Sequence, residues 1–234
     1  DAAAFADVAA PLAPPAPPVH LVDPVARAHR LARARLDDLE VRARPQIRRI
    51  WREMSAEIGE PRRVVVTSAG GADHAHAAAR ALMRFSARRG VSVCLVDLSG
   101  AAAVETDRLG LADLLAGHAA FSEVIHRDPE SRGFVVPAGT RPIEAVGLAD
   151  DGVTGILEAL ALTYDQLVID IGPLAVDVGV AALLADADAV LLADESLADP
   201  LTAATLEALV DGGRRVWLLT TEEVEATVPL DRAA

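Results

Sequence analysis

RRVVVTSAGGADHAHAAARALMRFSARRGVSVCLVDLSG, residues 62–100, decides the fold. The valine run in 63–67 predicts a buried strand and 68–73 a glycine-containing turn. A helix is expected from 73 to 88, ended by Gly90, and then an apolar strand over 91–97 that closes on Asp97. Strand, turn, helix and strand make a βαβ unit, with the turn where such units hold phosphate on backbone N–H groups at a helix N-terminus. A working loop of this kind adds a lysine for the β- and γ-phosphates and a serine or threonine hydroxyl for Mg2+. This turn has no lysine, and neither has the rest of the chain, whose 22 Lys+Arg residues are all arginine.

Outward from this unit the alternation continues. Short helices are expected in GLADLLAG and AFSEVIHR, and a short strand with a Pro-Ala-Gly exit in RGFVVPAG. Helices then follow over 154–163, 178–184 and 200–210, alternating with strands over 166–171, 189–193 and 215–220. Most of these strands are near-continuous apolar runs, which implies a mostly parallel sheet covered by helices on both faces. The loops after Thr67, Asp97, Ala138 and Asp170 are expected to share the edge at which such sheets bind ligands.

Upstream, residues 1–22 are rich in alanine and proline and read as an extended tether. Residues 23–60 read as a helical arm. Asp23 and Pro24 suit a helix start, and Val25, Ala28, Leu31, Ala32, Leu36 and Leu39 recur at helical spacing. Pro45 is expected to end or kink this helix. A second helix follows, with Ile47, Ile50, Trp51, Met54 and Ile58 on one stripe. Residues 61–222 form the α/β domain, and 223–234 a short acidic tail.

The formal net charge of -13 argues against nucleic-acid binding, which needs an extended basic surface. The charge is uneven. Residues 27–52 hold nine arginines against Asp37, Asp38 and Glu40, so a basic arm meets an acidic body, either as a solvated face or by docking between subunits. The lone Cys94 excludes a disulfide framework, and no apolar run approaches bilayer-spanning length. The opening segment lacks the pattern of a secretory signal, and EEVEATVPLDRAA is too short, acidic and proline-broken for a membrane-surface helix. A cytoplasmic protein without direct membrane insertion is expected.

Four segments, in order, carry a resemblance: GLADLLAGHAAFSEVIHRD (110–128), RGFVVPAGTRP (132–142), ALTYDQLVIDIGP (161–173) and LLADADAVLLAD (183–194). Together they resemble the bacterial tyrosine kinase (BY-kinase) family of capsule and exopolysaccharide export, within the wider MinD/ParA group of P-loop ATPases, over roughly residues 45–220. Gln46, Arg49 and Arg52 stand at the spacing of that family's Glu-x-x-Arg-x-x-Arg subunit-contact helix, with Gln for Glu. The resemblance therefore implies a homo-oligomer, and as partner the cytoplasmic face of a membrane polysaccharide co-polymerase (chain-length determinant).

Laid ungapped on the family's loop TSaxPGEGKST, Ser68, Gly70, Gly71, Asp73, His74, Ala75 and His76 form a degenerate nucleotide loop, with Ala75 at the lysine and His76 at the magnesium hydroxyl. A one-residue shift instead places His74 at the lysine and Ala75 at the hydroxyl. Asp97 corresponds to the first Walker A′ acid, with Ser99 at the second, and Asp170 to the Walker B acid. His74 and His76 point to different sides of a helix and lack a third ligand at recognisable spacing, so no metal site is expected. The family phosphorylates a C-terminal tyrosine cluster, whereas the only tyrosine here is Tyr164, before a strand. These losses imply a pseudokinase or pseudo-ATPase with no catalytic residues and no ATP or Mg2+. Two alternatives stay open: an ATPase completed by an arginine of another subunit, from Arg80, Arg84 or the arm, and a MinD/ParA-like positioning protein.

Overall fold

The computed structural model describes residues 24–100, 108–140, 151–175 and 178–222. The expected tether, the Asp23 cap and the acidic tail lie outside these residues. In chain order the elements are α1 (Pro24–Ile58), β1 (Arg63–Ser68), α2 (Ala72–Arg88), β2 (Val93–Asp97), α3 (Leu111–Leu115), α4 (Phe121–Val124), β3 (His126–Arg127) and β4 (Phe134–Val136). They continue as α5 (Asp151–Ala161), β5 (Gln166–Pro173), α6 (Val178–Ala185), β6 (Ala189–Asp194), α7 (Pro200–Asp211) and β7 (Val216–Thr220).

The strands form one sheet in the order β3-β4-β2-β5-β1-β6-β7. Every neighbouring pair is parallel except the two-residue β3, which runs antiparallel to β4. Successive side chains in the central strands feed opposite cores. Val64 and Val66 pack with α1 and α2, while Val65 packs on the other face with Leu111, Val153, Leu157, Val180 and Leu209 from the remaining helices. A strand buried on both faces has no polar side to show, hence the unbroken apolar runs.

The two quoted segments around α3 and β4 fold against each other. Leu111 and Ala112 donate backbone bonds to the carbonyls of Pro137 and Ala138 (both 2.9 Å). Buried Asp113 accepts from the backbone of Gly110 and Thr140 (2.9 Å each) and from the Thr140 hydroxyl (2.6 Å). A Cβ at Gly110 would fall 2.2 Å from the Pro137 carbonyl oxygen, so this close approach requires glycine.

The arm differs from expectation. Pro45 neither ends it nor divides it: α1 is continuous over 35 residues with Pro45 inside. Pro45 is exposed, and so is Val41, whose carbonyl loses its helical donor there and can turn to water. Proline in a helix interior costs about 3 kcal/mol. Leu36, Leu39, Ile47, Ile50, Trp51 and Met54 are all buried on the body, at roughly 1.5–3 kcal/mol each, which outweighs it. The expected stripe stops short of the N-terminal end, however, since Ala28 and Leu31 are exposed.

Candidate functional site

The parallel strands bring their carboxyl ends to one edge, and register decides what meets there. Asp97 of β2 and Asp170 of β5 are direct partners across the sheet. Both are fully buried, and His76 from the first turns of α2 reaches them, with Nδ1 2.9 Å from Asp170 Oδ2. Asp97 Oδ1 accepts from the backbone of Ser99 and Gly100 (2.9 and 3.1 Å), and Asp170 Oδ1 from that of Gly172 (2.9 Å). The Ser99 hydroxyl lies 2.7 Å from Asp97 Oδ1 and 3.2 Å from Asp170 Oδ2, and its one proton serves one carboxylate at a time. Gly172 has φ +65°, and a Cβ there would meet that of Ser99 at 2.8 Å, so glycine allows the two loops to touch. Asp97 Oδ2 is buried and has no hydrogen-bond partner among the described residues.

Burial alone lowers the proton affinity of His76, but the bond to Asp170 and the charges of Asp97 and Asp170 outweigh it, against an opposing push from Arg80. His76 is held above its ordinary pKa. Burial and the charge of Asp97 raise the Asp170 carboxyl, and His76 and the Gly172 N–H offset this only in part. His76 and Asp170 thus both hold a proton more firmly than they would in water.

The degenerate loop is short: only Ala69, Gly70 and Gly71 separate β1 from α2. Helix α2 therefore starts three residues before the position that the ungapped comparison assigns to lysine. Ala75 at that position is fully buried in the core shared with α1, while His76 faces the carboxylates. Two loop amides are already occupied: Ala69 donates to Asp194 Oδ2 (2.8 Å), and His74 donates to the Gly71 carbonyl (3.2 Å). The His74 ring is buried with Nδ1 4.0 Å from Asp194 Oδ1, on the other side of α2 from His76. Ser68 is buried at the end of β1, and Asp73 pairs with Arg35 of the arm (3.2 Å). Gly70 is exposed beside Leu201.

Two groups of side chains at this edge escape a reading along the chain. Searching for ligands near His74 and His76 in sequence finds none, yet sheet register brings Asp97 and Asp170 to His76, so that ligand atoms of all three lie within 4.8 Å of one another. Asp194 was foreshadowed only by its place at the end of an apolar run.

The arm is fastened in a way the charge pattern did not suggest. Its buried grip on the body is made by acids, while Arg35 and Arg44 add pairs to Asp73 and Glu130 nearer the surface. Arg84 of α2 is buried and bonds Glu40 of α1 through Nη1 (2.8 and 2.9 Å) and Asp128 through Nη2 (2.8 Å), with Glu130 also 2.9 Å away. Arg80 pairs with Glu40 (3.3 Å) and Asp37 (3.4 Å). Arg80 and Arg84 are thus committed within the chain, which removes them as donors to another subunit's site. Gln46 donates to the Thr220 carbonyl at the end of β7, docking the arm. Arg49 and Arg52 are exposed, Arg49 lying 3.9 Å from Glu53 and Arg52 donating to the Arg48 carbonyl (3.4 Å). The three residues therefore do not share one free face. Tyr164 is buried with its ring against Phe134, centroids 5.4 Å apart. Cys94 is buried, and desolvation pushes its thiol up to about 12.

No protein-family model matches the chain, and no curated protein matches it. Solved structures do. The VpsO kinase domain superposes with a TM-score of 0.61 at 18% identity, covering 80% of this chain and 95% of that one. The kinase domain of the Escherichia coli tyrosine kinase ETK gives 0.59 at 17%, covering 74% and 72%. The MinC:MinD cell division protein complex of Aquifex aeolicus gives 0.51 at 17%, covering 67% of each chain. The chain has the P-loop NTPase-like fold of these proteins. Among the described residues, no helix is long and apolar enough to cross a membrane.

Proposed function

We propose that this chain is a BY-kinase-like pseudokinase or pseudo-ATPase that acts by binding, as a cytoplasmic component of bacterial exopolysaccharide synthesis and export, of the capsule or holdfast type. The observation that carries the reading is His76, whose imidazole stands on the Walker B aspartate where an active loop presents its magnesium hydroxyl. The residues do not fit Mg-ATP. The position of the phosphate lysine is an alanine buried in the core, the loop amide of Ala69 is taken by Asp194, and the carboxylates carry a histidine. What survives is the scaffold and its surfaces.

The partner expected on those surfaces is the cytoplasmic face of a membrane polysaccharide co-polymerase. Self-association would use the exposed Arg49 and Arg52 of the arm, whose planar forks suit carboxylates on a neighbour. Polysaccharide genes beside the coding gene would support the pathway. A phosphate-release assay tests the mechanism. With Mg-ATP, wild type and Asp170→Ala are expected to give the same background. Release by wild type that Asp170→Ala abolishes would overturn the reading in favour of an ATPase completed by another subunit.

A further inference from the structure

We infer that His76, Asp97 and Asp170 form a binding site for a first-row divalent cation of the Zn2+ class, one that needs no nucleotide. The inference goes beyond the non-turnover role and stands apart from it. An imidazole and two carboxylates from three separate elements converge with ligand atoms within 4.8 Å of one another. The 2.9 Å between His76 Nδ1 and Asp170 Oδ2 is a hydrogen bond, and an ion about 2.1 Å from each at the tetrahedral angle would widen it to about 3.4 Å as it replaces the shared proton.

An independent observation points to a ligand for Asp97. Asp97 is fully buried, yet its Oδ2 has no hydrogen-bond partner among the described residues. A buried carboxylate oxygen left in this way is costly, and native structures match such atoms with water or an ion. Charge agrees: a divalent ion that displaces the His76 proton would balance the buried carboxylates of Asp97 and Asp170.

The donor set names the class. Mg2+ prefers an all-oxygen octahedron and sheds water reluctantly, whereas an imidazole beside carboxylates suits Zn2+ and its first-row neighbours. The change from hydroxyl to His76 thus moves the preference of this edge from a nucleotide-borne Mg2+ to an ion held by the protein alone.

The test is calorimetric titration of the chelator-treated full chain with Zn2+, and separately with Mg2+, without nucleotide. One equivalent of Zn2+ is expected to bind, at least ~10-fold more weakly in His76→Gln and in Asp97→Asn. Circular dichroism checks that both near-isosteric variants are folded. Should either fail to fold, X-ray absorption at the zinc edge of the wild-type complex decides: one imidazole nitrogen among oxygens supports the site, and two or more imidazoles overturn it. No Zn2+ binding, affinity unchanged in both variants, or Mg2+ binding as tightly as Zn2+ would also overturn it. Because no nucleotide is present, these outcomes leave the non-turnover reading untouched.

Discussion

Helix α2 carries two buried polar clusters, one around Arg84 and one around His76, and they are built to different standards. In the first, Arg84 is enclosed by Glu40, Asp128 and Glu130, with close bonds to all three. In the second, two carboxylates face one imidazole and a single shared hydroxyl, and Asp97 Oδ2 has no partner among the described residues. Buried polar networks fasten a fold when every member is satisfied and are costly otherwise. The Arg84 cluster is architecture, joining arm, helix and sheet corner. The His76 cluster sits at the carboxyl ends of the strands, where such sheets bind ligands.

The sharpest way to break the contrast is Arg84→Ala. It takes from buried Asp128 its guanidinium partner and leaves Glu40 to Arg44 and Arg80, and urea unfolding should show a loss of about 3–5 kcal/mol. The corresponding change at the other cluster, Asp97→Asn in the metal-free protein, removes one of two facing buried charges. It should be neutral or stabilising, on the order of 1 kcal/mol. Destabilisation by Asp97→Asn as large as that by Arg84→Ala would show that the two clusters are alike.

The clusters should also respond oppositely to pH. Burial raises the Asp128 carboxyl, but bonds from Arg84 and Ser131 and the charge of Arg84 outweigh this and hold it below its ordinary 3.8. Its contribution is therefore present above pH 3.8 and lost as pH falls through the folded value. His76 and Asp170 are both raised, so the folded state holds more protons than the unfolded chain. Their contribution is full below each group's ordinary value, for His76 6.5, and is lost as pH rises through the folded ones. Thermal melts should show the alkaline loss reduced in His76→Gln and the acid loss reduced in Asp128→Asn.

The layered fold was legible because strands such as 91–97 are apolar on both faces, and such strands occur in covered parallel sheets. That the turn after β1 offers no lysine needed no structure, because lysine is absent from the whole chain. Other features depend on distance. Glu40, Arg84 and Asp128 lie 44 residues apart from one to the next, so no local pattern announces them. Asp97 meets His76 through sheet register, and β3 is too short to show a period. Pro45 misled because proline breaks an isolated helix, whereas this one has two flanking turns anchored by Ala43, Ile47 and Ile50.

The smallest expected effect is on the arm's outer face. Arg49→Ala with Arg52→Ala should change stability by no more than about 0.5 kcal/mol, since both are exposed. Light scattering should nevertheless show a lower mass than wild type. An unchanged mass would remove these residues from any subunit contact.

Calorimetric titration of the metal-free full chain with Mg-ATP asks most directly whether the edge of the sheet has ceased to be a nucleotide site. The expected result is no saturable heat at micromolar to submillimolar nucleotide. Micromolar binding that disappears in Asp170→Ala would contradict the account and return His76 to the machinery of an active enzyme.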